Sequence, residues 1–155
     1  MPKKNETRLL AQFPEFKPVL NAKGLMGRAN GRYAFHGYLI EVYRVGRQWA
    51  REKIRKRRTG ELTRLAKIQA PRKVHAFRVI IEATLSSLDA KTSSRWTRSL
   101  EFAFSEDVPA DELKDFFRAK GGMAKCARQA ALEIQYGGIG DRPGTNNRRC
   151  IGLSG

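Results

Sequence analysis

Two runs between residues 74 and 105 place apolar side chains at every second position. Alternation at that period narrows the folds open to a chain more than any other pattern in this sequence. In the first run His75, Phe77, Val79, Ile81, Ala83 and Leu85 alternate with Ala76, Arg78, Ile80, Glu82 and Thr84. In the second, Trp96, Leu100, Phe102 and Phe104 share one side with Arg98, and Arg95, Thr97, Ser99, Glu101 and Ala103 share the other. The stretch SSLDAKTSS lies between them. Successive side chains of a strand point to opposite faces, so two such runs around a polar loop predict an antiparallel hairpin. Glu82 and Glu101 then fall on adjacent strands, where Arg78 or Arg95 would pair with them.

The flanking segments carry helical spacing instead. Leu39, Val42, Tyr43, Gly46, Ala50 and Ile54 form one stripe, which predicts a helix over about 39–58, after a short strand at 33–37 and with Thr59-Gly60 as its break. ELTRLAKIQ (61–69) reads as a further short helix ending before Pro71. Asp107 and Pro109 mark another helix start, and Asp111, Glu112 and Asp115 suit its positive end. That helical region runs to about residue 135, interrupted at Gly121-Gly122, with Met123, Cys126, Ala127, Ala130 and Ile134 on its second stripe. The expected fold is α+β: a small antiparallel sheet, the hairpin at about 74–105, packed with helices at about 39–58 and 109–135.

A chain of 155 residues is one domain by length. Residues 33–136 are expected to form it. Residues 1–32, with three prolines and three glycines, read as a loosely structured basic segment with a short helix in NETRLLAQF. Residues 137–155, with six glycines, read as a flexible tail.

Charge says little about fold and much about partners. Lys and Arg number 31 against 15 Asp and Glu, a net +16. Residues 1–73 hold 19 basic and 5 acidic residues, net +14; residues 74–155 hold 12 and 10, net +2. A chain with one side turned to an anionic polymer shows such asymmetry. The densest stretch, REKIRKRRTGELTR (51–64), has seven cations and two Glu. On the predicted helix Arg44, Arg47, Arg51, Arg55 and Arg58 line one stripe. Lys53, Lys56 and Arg57 thicken it, and Arg64, Lys67, Arg72 and Lys73 extend it. Arg outnumbers Lys 19 to 12, a bias that suits forked contacts to phosphate. Tyr43 and Trp49 lie inside the basic region, where burial in the core competes with stacking on unpaired bases. Lys3, Lys4, Arg8, Arg28 and Arg32, with Arg142, Arg148 and Arg149 in the tail, form a second basic set suited to wrapping nucleic acid.

Catalytic and metal chemistry find little support. Two His and two Cys match no ligand spacing, so no metal or cofactor is expected. Cys126 and Cys150 read as free thiols. No Gly-rich phosphate loop ends in Lys-Ser or Lys-Thr. Glu112-Leu113-Lys114 spells E-x-K, a fragment of one nuclease signature, but on a helix start. No window is apolar for 18 residues, and MPKKNETRLLAQF lacks the core of a secretory signal. A cytoplasmic, nucleoid or nuclear location is expected. AKCARQAALEI (124–134) resembles the second helix of double-stranded-RNA-binding domains. That fold leads three strands directly into the helix, whereas here the predicted helix DELKDFF intervenes, so the family is not assigned. The sequence thus reads as a non-enzymatic nucleic-acid-binding protein or small basic subunit of a ribonucleoprotein or effector complex, with RNA slightly favoured over DNA. The alternatives are an inhibitor or assembly factor docking on an acidic protein surface and, behind it, a metal-dependent nuclease.

Overall fold

The computed structural model describes residues 4–26, 35–69 and 75–136. The chain is all-helical there, and no strand occurs among the described residues. The helices are α1 (Lys4–Gln12), α2 (Lys17–Met26), α3 (His36–Arg51), α4 (Arg55–Ala66), α5 (Ala76–Thr84), α6 (Ala90–Ser105), α7 (Leu113–Ala119) and α8 (Met123–Tyr136). Short 3-10 turns, Pro14–Phe16 and Ala110–Glu112, precede α2 and α7. The expected α+β fold is therefore incorrect, and its hairpin is the helix pair α5 and α6.

The physical reason lies in where α5 sits. It packs against α2, α3, α4 and α6, so Ala76, Phe77, Val79, Ile80, Ile81 and Thr84 are all buried. A helix enclosed on most sides needs apolar residues in both alternating sets. His75 caps it, with Nδ1 accepting the Phe77 amide N–H at 3.3 Å. In α6 the buried stripe is Ser93, Trp96, Thr97, Leu100 and Ala103, spaced by three and four. Its small polar residues conceal the helical period. Only Ser99 bonds within the molecule: its hydroxyl donates to the Arg95 carbonyl and stands 3.0 Å from the Met123 carbonyl of α8, whereas the buried Ser93 and Thr97 hydroxyls have no hydrogen-bond partner among the described residues. Asp89 starts α6 by accepting the Thr92 N–H at 2.9 Å, a strong N-cap. Glu82 pairs with Arg78 along α5 at 2.9 Å, not across a sheet.

The helix expected over 39–58 is two helices. Gly37 and His36 already belong to α3, so the short strand expected at 33–37 is absent from its described part, residues 35–37. The break falls at Glu52–Ile54, where Lys53 takes a left-handed conformation (φ 61°). Thr59 and Gly60, the expected break, lie inside α4. The segment expected at 61–69 is the end of the same helix. Between Gly46 of α3 and Phe77 of α5 the approach is so close that a Cβ on Gly46 would meet the Phe77 ring.

Within the N-terminal segment, residues 4–26 form α1, a 3-10 turn and α2. Phe13, Phe16 and Val19 are fully buried, and Phe13 and Phe16 pack on Trp49 with ring centroids 6.0 and 5.8 Å away. Each such side chain contributes about 1.5–3 kcal/mol by leaving water. The tail at 137–155, with Cys150, lies outside the described residues. No helix among those described is long and apolar enough to cross a membrane.

Candidate nucleic-acid interface

The basic residues of α3 and α4 divide into a structural set and a solvent-facing set. Arg44, Arg47 and Arg51 share the outer side of α3, as their spacing requires. Arg44 meets Asp111 at 2.6 Å and Glu41 at 3.4 Å. Arg47 donates to the Val108 carbonyl at 2.9 Å and to Asp107 at 3.1 Å. Both fasten α3 to the turn that follows α6.

Arg58 is largely enclosed, with its side chain 19% exposed. Its guanidinium forks onto both oxygens of Glu15 at 3.0 and 3.2 Å and donates to Glu61 at 3.1 Å and to the Gln12 carbonyl at 3.1 Å. It also lies over the Phe13 ring at 4.3 Å. Glu15 accepts the Trp49 indole N–H at 2.9 Å as well. Burial alone would raise the Glu15 carboxyl; the hydrogen bonds from Trp49, its own backbone and Arg58, with the Arg58 charge, outweigh that and hold it below the ordinary glutamate value. The stripe drawn through Arg44, Arg47, Arg51, Arg55 and Arg58 is thus not one phosphate-facing edge. Glu15 is the structural residue that pattern reading missed. It stands 34 residues from Trp49 and 43 from Arg58, so no local signal marks it.

Tyr43 and Trp49 are fully buried. The Tyr43 hydroxyl donates to the Val108 carbonyl at 2.6 Å, and its ring stacks on Phe77 at 5.6 Å. Neither ring offers a face to a base, which corrects the stacking role considered for them.

The solvent-facing set is different. Arg51, Lys53, Lys56, Arg57, Arg64 and Lys67 are exposed, and none forms an ion pair among the described residues. Arg51 ends α3, Lys53 sits in the turn, and Lys56, Arg57 and Arg64 fall on the side of α4 opposite buried Leu62, by 100° per residue. Lys67 follows α4 in a left-handed conformation. Arg55 is partly enclosed, its guanidinium 5.5 Å over the Phe104 ring. Of the two carboxylates of the segment, Glu61 takes Arg58, and Glu52 accepts the neutral Gln48 amide at 2.9 Å and keeps its charge. The result is a cationic elbow running over the α3–α4 turn and down the outside of α4.

Lys67 also lines a groove of about 380 Å³ with Arg8, Lys23 and Glu82. Arg8 and Lys4 are exposed on α1. Arg72, Lys73, Lys3, Arg28, Arg32, Arg142, Arg148 and Arg149 lie outside the described residues. Glu112 is exposed at the start of α7. Among the described residues no three His, Cys, Asp or Glu side chains gather closely enough to share a metal ion.

Comparison with protein-family models, with curated proteins and with solved structures found no match. The reading of the elbow rests on its charge and geometry.

Proposed function

We propose that the protein binds nucleic acid through the phosphate backbone, using the elbow of Arg51, Lys53, Lys56, Arg57, Arg64 and Lys67. One observation carries the reading: six exposed cations run over the α3–α4 turn and along α4 with no ion pair among the described residues, and of the two carboxylates in the same stretch one is taken by Arg58. Such a surface repels itself unless an anion compensates it, and a duplex is a dense line of phosphate with counterions to release. The burial of Tyr43 and Trp49 favours a duplex over unpaired bases, because the elbow carries no aromatic platform. Contacts of this type position a backbone and carry no sequence information of their own.

The test is fluorescence anisotropy with short duplex DNA and duplex RNA of unrelated sequences. Six phosphate contacts predict a log–log salt slope near −5 for DNA, a loss of about 10³ in affinity between about 50 and 200 mM salt. Changing Arg51, Lys53, Lys56 and Arg57 together to Gln shallows that slope by about 3.6 and leaves the helical circular dichroism unchanged. An affinity indifferent to salt, or a quadruple variant that binds like the parent, refutes the elbow. The DNA and RNA arms decide which duplex is preferred.

A further inference from the structure

The back half of the chain is almost neutral in sum, and the structure nevertheless sorts its charge. On α6, Lys91, Arg95 and Arg98 are exposed and recur at intervals of four and three, which places them in one row along about 10 Å of helix. None forms an ion pair among the described residues. Two acidic groups lie beside them: Asp89 accepts the Thr92 N–H in capping α6, and Glu101, partly buried one turn beyond Arg98, feels the Arg98 charge without forming an ion pair with it. Lys125 and Arg128 are exposed on α8, which packs along α6.

The orientation of this row is fixed by Phe104. That ring faces the core side of α4, opposite the elbow, since the guanidinium of Arg55, two helical turns before buried Leu62, lies over it and it meets Phe77 of α5 edge-on at 6.0 Å. Arg95 stands nine residues before Phe104, a half-turn of the helical wheel, and Lys91 and Arg98 are about 140° and 120° from it. The row therefore points away from the side of α6 that meets α4 and α5. A single straight duplex seated on the elbow does not reach it.

Resting on the elbow reading above, we infer that the α6 row is a second, independent phosphate-binding face and that one molecule bridges two duplexes. Three to five cations make the weaker of the two faces, so the second duplex is released at lower salt than the first.

The experiment uses the full chain, one duplex immobilised on beads and a second carrying a fluorophore. The parent protein, bound first to the beads, is expected to capture the labelled duplex at low salt. The triple variant Lys91→Gln, Arg95→Gln, Arg98→Gln is expected to bind one duplex with the parent salt slope and to lose capture of the second. Capture by the triple variant equal to the parent's overturns the inference, as does a parent that binds the first duplex and never captures another. A triple variant whose single-duplex salt slope falls also overturns it, because one duplex then spans both faces. If the parent binds no duplex at all, the elbow reading itself has failed, which the anisotropy measurement reports separately.

Discussion

Two adjacent arginines have opposite fates, and the difference is set by a residue far away in the chain. Arg58 meets Glu15, Glu61, a backbone carbonyl and an aromatic face, whereas Arg57 is exposed. Removing Arg58 leaves a largely enclosed carboxylate without its counter-charge. Arg58→Ala should therefore cost about 2–4 kcal/mol in urea unfolding, and Arg57→Ala less than about 0.5 kcal/mol. Equal losses would mean that the Glu15 clamp does not hold the N-terminal helices. His75 gives a pH signature of its own. Burial first, and then the Arg55 charge, lower its pKa to about 4. The unfolded chain takes up the proton first as pH falls, so this contribution is complete above about pH 6.5 and is lost towards pH 4, up to about 3 kcal/mol. His75→Gln should flatten the stability profile across that window. A profile as steep as the parent's would place the acid sensitivity elsewhere.

At the level of helices, α3 and α5 meet through Gly46 and Phe77. Ala is the better helix former by about 1 kcal/mol, yet its methyl group has no room against the ring. Gly46→Ala should thus destabilise by about 1–2 kcal/mol net, because overpacking exceeds the propensity gain. Adding Phe77→Leu should recover part of that loss, and additive costs in a double-mutant cycle would refute the contact. The same helix pair shows what the sequence conceals. The stripe from Leu39 to Ala50 was legible because α3 has a solvent side, and solvent imposes a period. α5 has little, so its apolar residues satisfy period two and period 3.6 together. In α6 the period was hidden by Ser93, Thr97 and Ser99, small hydroxyl residues that reside in the core. Asp89, read as part of a polar turn, was the missed cap. Within the basic segment the density of cations was legible, but the spacing was not a guide, since only Arg51 of the evenly spaced stripe belongs to the elbow. Which cations face solvent was not legible, because Glu15, Asp107 and Asp111 reach Arg58, Arg47 and Arg44 across more than 40 residues.

Across the whole molecule, a net charge of +16 makes self-repulsion a term of the same kind as packing. Salt acts on it in two directions. Screening weakens the repulsion among exposed cations, and it also weakens ion pairs such as Arg44–Asp111, whose partners are 50% and 81% exposed. Exposed pairs contribute about 0–1 kcal/mol each, and the most enclosed pair, Arg58–Glu15, is the least accessible to counterions. Repulsion among an excess of like charges extends over the whole surface at low ionic strength, where the screening length is about 30 Å at 0.01 M, and shrinks when that length falls to about 10 Å at 0.1 M. Repulsion therefore dominates, and the unfolding temperature should rise with sodium chloride over that range, by several degrees for each kcal/mol relieved. The quadruple elbow variant, with four fewer charges, should start higher at low salt and respond less to it. An unfolding temperature that falls as salt is added would show that the fold depends on its surface ion pairs more than it suffers from its excess charge, and the elbow would then be held in place by attraction within the molecule instead of standing ready for an anionic partner.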